Sequence, residues 1–126
     1  MQPVYRGVRR RNDREKGRRL IQGIHARERT VLTVLIPCKN ELRQIEACIA
    51  SARLLGGEIL VADSGSTDGT LDVVAHMPDC RLIERPFSTY ADFKNWAIPQ
   101  ASHPWVFVLD ADERVTPELA DEVRRT

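Results

Sequence analysis

A chain of 126 residues, 42% hydrophobic and with a net charge of +1, suffices for one small globular domain built on one core. No apolar run approaches the ~18–20 residues of a membrane span, and the basic start lacks the apolar region of a secretory leader, so neither is expected. Cys38, Cys48 and Cys80 are odd in number and form no CxxC pair, which argues against a disulfide scaffold or zinc site and fits a reduced, cytoplasmic chain.

The near-neutral total hides an asymmetry. Residues 1–30 hold ten Lys/Arg against three Asp/Glu, whereas residues 31–126 hold nine against fifteen. The first stretch, with Arg9-Arg10-Arg11 and Lys16-Gly17-Arg18-Arg19, reads as a basic arm, disordered or loosely helical, around a weak amphipathic turn at Leu20, Ile21 and Ile24. Such an arm suits a solvated tail or contact with an anionic membrane surface or nucleic acid; nucleic acid is the less favoured partner. The domain boundary falls at about Thr30.

Thr30–Ile36 is apolar and β-branched, hence a strand, ended by Pro37. Pro37-Cys38-Lys39-Asn40-Glu41 is a loop, with Asn40 a suitable N-cap for a helix carrying Leu42, Ile45, Cys48, Ile49, Ala52 and Leu55 on one face. Gly56-Gly57 ends that helix. Glu58–Ala62 is a second strand, leading into Asp63-Ser64-Gly65-Ser66-Thr67-Asp68, where Thr67 can cap a helix from Asp68 to Ala75 with Leu71, Val73 and Val74 inward. Arg81–Glu84 is a short third strand. Tyr90–Ala101 reads as a helix with Phe93, Trp96, Ala97 and Ala101 inward and Pro99 disturbing its last turn. Trp105–Leu109 is a buried strand running into Asp110-Ala111-Asp112-Glu113. Thr116 and Pro117 then open a helix with Leu119 and Val123 inward and Arg124-Arg125 at its end.

Strands alternating with helices imply an α/β, Rossmann-like, doubly wound sheet that is mostly parallel with flanking helices. Three loops, 37–41, 63–68 and 110–113, then share the carboxyl edge of the sheet, where ligands of open α/β folds bind. Ser64-Gly65-Ser66 offers backbone amides to an anion or simply turns the chain. Asp63, first out of its strand, can meet a base or sugar hydroxyl or instead cap its own loop. Asp110 and Asp112 face one side if their loop is extended, which suits Mg²⁺ or Mn²⁺ shared with phosphates; an acidic helix-capping loop is the other reading. Glu113 can orient a neighbour. Lys94 can neutralise a diphosphate, and Lys39 is a weaker candidate for that role. His25, His76 and His103 receive no role, and nothing marks Cys38 as reactive.

Ile36-Pro37-Cys38-Lys39-Asn40-Glu41, Val61-Ala62-Asp63-Ser64-Gly65-Ser66-Thr67-Asp68-Gly69-Thr70 and Leu109-Asp110-Ala111-Asp112-Glu113, with Lys94-Asn95 between, together resemble a GT-A fold glycosyltransferase of family 2. The nearest likeness is to the branch with lipopolysaccharide core β-1,4-glucosyltransferases, and it runs from about Thr33 to Val123. The resemblance implies inverting transfer of a hexose from a nucleotide-diphospho-sugar, foremost a UDP-sugar, to a glycan or lipopolysaccharide-type acceptor. It implies donor binding by Pro37, Glu41, Asp63, Lys94 and Asp110, with Asp110 and Asp112 as the DXD pair holding Mn²⁺ or Mg²⁺. It implies work in the cytoplasm, at the inner face of the membrane, in cell-envelope polysaccharide synthesis. In the family the catalytic base and the acceptor-binding half follow the DXD segment, whereas this sequence ends about a dozen residues past Asp112. The chain is therefore expected to be the donor half alone, truncated before the acceptor half and with no assigned catalytic base: a fragment, a split gene product, or a domain completed by a second subunit or chain.

Two other readings remain in play. A dehalogenase-type phosphatase also uses D-x-D after a buried strand, but there the motif ends an early strand and is followed two places on by Thr or Val, where this chain has Arg114. A non-catalytic α/β module whose basic arm binds nucleic acid or an anionic surface predicts salt-sensitive binding to polyanions, lost on removing residues 1–30.

Overall fold

The computed structural model of the chain describes residues 4–6 and 32–125, with side chains described from Leu32 to Glu122. Five strands, β1 (Val4–Arg6), β2 (Leu32–Cys38), β3 (Glu58–Asp63), β4 (Cys80–Glu84) and β5 (Trp105–Val108), form one sheet in the order β1-β5-β2-β3-β4. All four pairings are parallel. Helices α1 (Ile45–Ala52), α2 (Thr70–Ala75), α3 (Tyr90–Ala97) and α4 (Pro117–Arg125) connect or follow them. This is the α/β Rossmann-like layering that the alternating pattern predicts.

Period-two alternation within the strands supplies two cores. Leu32, Val34 and Ile36 of β2, Ile59 and Val61 of β3, and Phe107 of β5 face α1, Val74 of α2 and Leu119 of α4. Leu35, Leu60, Ala62, Val106 and Val108 face the other way, onto Phe93 and Ala97 of α3. Both faces of each central strand are thus buried, which is why these strands read as continuous apolar runs.

Several local expectations are revised. Val4–Arg6 of the expected arm is a strand paired with β5, Val4 opposite Val106; the basic clusters, the turn at Leu20–Ile24 and His25 lie outside the described residues. Pro37 lies inside β2, opposite Ala62, rather than ending it. The Leu35 carbonyl accepts from Leu109 N–H on the β5 side and the Cys38 carbonyl from Ser64 N–H on the β3 side. Alternation therefore turns the Pro37 nitrogen toward β5, where pairing has stopped at Leu35 opposite Val108. Proline's missing donor costs nothing there, and the gap between β2 and β5 opens beyond it.

Asn40 does not cap α1: it stands in the left-handed region at φ 53°, and the position before Ile45 is Gln44 with no side-chain cap. Leu42, ahead of that helix, is exposed. Thr67 does not cap α2, which starts at Thr70 after Gly69. Helix α3 stops at Ala97, and Pro99 falls in a 3₁₀ turn over Ile98–Gln100. Thr89 caps α3 through Asp92 N–H, and Thr116 accepts from Leu119 N–H as predicted. The side chains of Val123, Arg124 and Arg125 lie outside the description.

Candidate functional site

From β2 the chain moves outward to β3 and β4, then crosses back to β5 on the other side of β2. The strand order therefore reverses between β2 and β5, the place where open α/β sheets bind ligands. A cavity of about 500 Å³ lies there. The end of β2 contributes Pro37 and Cys38 and the loop after it Lys39 and Glu41; the β5 loop contributes Asp110, Ala111 and Asp112. Ser64 and the aromatic group Phe87, Tyr90 and Phe93 complete its lining.

Two of the three loops are sewn together. Asn40 N–H donates to Ser66 Oγ (2.8 Å), and Asn40 Oδ1 accepts from Thr67 N–H (2.7 Å). Glu41 N–H donates to Thr70 Oγ1 (3.1 Å) and Leu42 N–H to Asp68 Oδ2 (3.2 Å). Hydrogen bonds from Thr70, foremost its hydroxyl, hold the exposed Asp68 carboxyl below its ordinary range. The left-handed turn at Asn40 is what brings its amide across to the β3 loop.

Asp63 is buried and does not line the cavity. Its Oδ1 accepts from Gly65 N–H and Ser66 N–H, both at 2.8 Å, and its Oδ2 accepts from the Ser66 hydroxyl and, at 3.5 Å, the Cys38 thiol. Of the amides that the Ser64-Gly65-Ser66 run could have offered a bound anion, those of Gly65 and Ser66 are thus turned onto Asp63 itself and that of Ser64 onto the Cys38 carbonyl. Burial, then the Asp63 charge beside it, pushes the Cys38 thiol far up, so it is no nucleophile at neutral pH.

The acidic loop is a closed turn, so the condition for Asp110 and Asp112 to face one side, an extended loop, is not met. Glu113 N–H donates to the Asp110 carbonyl (2.8 Å), and Glu113 Oε1 accepts from Asp110 N–H (3.0 Å). Asp110 and Asp112 still reach one cavity, half-buried and exposed respectively. Tyr90 Oη donates to Asp110 Oδ1 at 3.3 Å. Buried Glu113 braces the turn, as the orienting reading has it, and is not in the cavity lining.

Burial, then the charges of Asp112, Asp68 and Asp110, raises the Glu41 carboxyl above its ordinary range. The cavity mouth thus gathers negative charge that a cation would relieve. Among the described residues no three Asp, Glu, His or Cys side chains form a ready-made metal cage. Two hard carboxylates open to the cavity nevertheless match a cation that is completed by substrate phosphates, as Mg²⁺ usually is.

Of the sequence-derived donor residues, the cavity brings together Pro37, Glu41, Asp110 and Asp112 and leaves out Asp63 and Lys94. The Lys94 ammonium sits 4.5 Å from the Tyr90 ring centroid, while Lys39 lines the cavity. Sequence reasoning missed the aromatic wall. Phe87 and Tyr90 are about half exposed, and two large rings bracketing the polar Ser88-Thr89 was the available signal. Among the described residues no helix is long and apolar enough to cross a membrane.

Comparison with known proteins points one way. The sequence model for glycosyl transferase family 2 matches residues 33–124. The lipopolysaccharide core biosynthesis glycosyltransferase LpsC of Rhizobium meliloti is 39% identical over 94 residues, which cover 71% of this chain and 34% of LpsC. A glycosyltransferase of Rickettsia bellii is 33% identical over 92 residues, covering 73% of this chain and 31% of its own. Staphylococcus aureus TarS 1–349, also solved in complex with UDP, has the same fold at a TM-score of 0.60 and 23% identity, covering 75% of this chain and 31% of that one. Glucosyl-3-phosphoglycerate synthase of Mycobacterium tuberculosis reaches a TM-score of 0.51 at 25% identity, covering 89% and 42%. The chain spans about a third of the length of the curated relatives it matches.

Proposed function

The chain belongs to glycosyl transferase family 2, and from that premise we propose that it is the donor-binding part of a hexosyltransferase that takes a nucleotide-diphospho-sugar, foremost a UDP-sugar. The carrying observation is the 500 Å³ cavity at the reversal of strand order, where Glu41, Asp110 and Asp112 meet one another and an aromatic wall. Its size is that of a small-molecule site, and a UDP complex is known for a protein of the same fold. The 39% identity to LpsC favours a glycan or lipopolysaccharide-type acceptor in cell-envelope synthesis, handled on the cytoplasmic side of the membrane.

Pro37 and Glu41 would line the nucleoside end of the cavity. Asp63 would act from behind, by fixing the loop that carries Ser64. Asp110 and Asp112 would hold Mn²⁺ or Mg²⁺ against the diphosphate. Bound there, the cation would supply neutralising charge for the leaving diphosphate. Transfer with inversion breaks the anomeric carbon–diphosphate bond while the acceptor hydroxyl oxygen attacks from the opposite face and gives its proton to a carboxylate base. Glu113 is occupied by Asp110 N–H and buried, so the base is assigned to the part of the longer relatives that this chain does not cover, on the same polypeptide or on a second one.

Calorimetric titration with UDP and UDP-sugars, with and without Mn²⁺, tests the reading. Binding that needs Mn²⁺ and disappears in Asp110→Ala and Asp112→Ala is expected. Equal binding by both variants, or none by the folded protein, refutes it.

A further inference from the structure

The residue after the acidic turn is Arg114, and it is half-buried. Its guanidinium reaches in three directions. Nη1 donates to the Ala111 carbonyl at 2.9 Å and to the Glu113 carbonyl at 2.7 Å, while Nη2 donates to Gln44 Oε1 just ahead of α1. The same helix holds the loop at two further points. The Cys48 thiol donates to the Asp110 carbonyl at 3.5 Å, and Ser51 Oγ accepts from Val115 N–H at 2.9 Å. Every backbone group named here lies between Asp110 and Val115, so the segment bearing both cavity acids is fastened from behind to one rigid helix.

We propose that Arg114, with Gln44, is a positioning residue that sets the Asp110–Asp112 turn for cation and diphosphate binding. The role rests on the donor-site reading above. A short turn carrying two like charges tends to open, because repulsion between the carboxylates and the freedom of an exposed loop both favour separation. Three charge-assisted or carbonyl bonds from one planar fork oppose that, and they place a cation behind the turn while leaving the carboxylates to the cavity. A lysine has the charge but not the fork, so it cannot hold two carbonyls and an amide at these angles.

Mn²⁺-dependent UDP binding, measured by calorimetry on the full chain, tests the role in Arg114→Lys, Gln44→Ala and the double variant. In Arg114→Lys the Mn²⁺ concentration giving half-maximal UDP binding should rise about tenfold, the low end of what loss of an outer-shell partner does to a metal site. Gln44→Ala should move it in the same direction, and the double variant should lie close to Arg114→Lys, because the two residues share one bond. Binding of uridine without metal should be unchanged in all three. An unchanged Mn²⁺ requirement in Arg114→Lys overturns the inference. So does a loss of uridine and metal-dependent binding in equal proportion that follows a drop in Tm, since that marks a purely structural residue. If Arg114→Lys does not fold, Gln44→Ala decides by the same two readouts. If the unsubstituted protein shows no Mn²⁺-dependent UDP binding, the donor-site reading falls and the role of Arg114 with it; normal binding that is indifferent to Arg114→Lys removes only the latter.

Discussion

Asp63 and Asn40 show how single polar residues are used here. Asp63 is the last residue of β3 and Asn40 lies in the loop after β2, both at the carboxyl edge of the sheet, and both put their side chains on neighbouring backbone rather than into the cavity. Asp63 accepts two amides at 2.8 Å while 1% exposed. Removing it strands the N–H groups of Gly65 and Ser66. Gly65 is exposed and Ser66 half-buried, so water can replace part of what is lost, and Asp63→Ala is expected to lower the unfolding free energy by about 1–3 kcal/mol in all, the worth of hydrogen bonds to a charged group, read as a shift in the urea midpoint without ligand. A residue whose only task was to touch the donor would leave that midpoint in place and change binding alone. Tyr90 lies closer to the chemistry, with its hydroxyl on Asp110 and its ring under Lys94. The Lys94 contact is an i,i+4 neighbour on α3 and follows from helical spacing, whereas the Asp110 contact could not be read from spacing, because Tyr90 and Asp110 are twenty residues apart.

At the scale of elements, the end of α1 depends on two glycines with different tasks. Gly56 has φ +67° and open space around a Cβ, whereas Gly57 has φ +100° and a Cβ there would lie 2.2 Å from the Leu32 carbonyl oxygen. Gly56→Ala should cost about 1–3 kcal/mol, the strain of a positive-φ extended conformation (φ 67°, ψ 161°) that is open almost only to glycine. Gly57→Ala adds a backbone clash that nothing flexible can relieve, so the start of β2 or β3 must shift. Its cost should exceed that of Gly56→Ala by at least about 2 kcal/mol, and matched urea titrations of the two variants check the difference. Equal costs would mean the α1–β3 connection moves freely. Pro37 is the other element-scale device. It keeps its place in β2 while its nitrogen faces the side where β5 has stopped pairing, so the crevice begins one residue beyond the last shared ladder bond.

For the molecule as a whole, stability and chemistry occupy opposite edges of the sheet. The cavity lies at the carboxyl ends of the strands, and Glu58 gathers contacts at the other end. It accepts from Thr33 Oγ1 of β2 (3.0 Å), from Ser102 N–H (2.9 Å) and Oγ (2.6 Å) ahead of β5, and from Arg81 of β4 (3.4 Å). Burial would raise this carboxyl, but the Ser102 and Thr33 hydrogen bonds and the Arg81 charge outweigh it and hold the group below the ordinary glutamate range. A carboxyl lowered by folding stabilises the fold at pH values above its unfolded pKa, and that contribution fades as pH falls through the folded value. Glu58→Gln should therefore cost about 1–3 kcal/mol near neutral pH. The gap between the two proteins should shrink as pH falls below about 4.5, measured by denaturation at a series of pH values. A gap that widens on acidification would contradict the assignment. Because the clasp is at the far edge, Glu58→Gln should leave UDP binding intact where both proteins are folded.

The amino-acid sequence by itself determined the alternation of strands and helices, the three loops on one edge and the family, because these follow from hydrophobic periodicity and contiguous motifs. Ile59, Val61, Leu60 and Ala62 announce a strand buried on both faces whatever surrounds them. Glu41, Asp110 and Asp112 could be picked for the site because each lies in a loop that follows a strand of a parallel sheet, and Pro37 because it lies at the carboxyl end of one. Tertiary structure decided what those patterns cannot carry. It turned Asp63 inward onto its own loop, seated Asn40 as a cross-link rather than a cap, folded the acidic loop into a turn, and built the Phe87–Tyr90–Phe93 wall and the Arg114 clamp. The physical reason is one of range. Periodicity and capping act within a few residues, whereas a polar side chain chooses its partner among whatever groups the packed sheet brings within about 3 Å, and here those include groups 27 and 70 residues away, for Asn40 and Arg114, beside local ones such as Gly65 and Ser66 for Asp63.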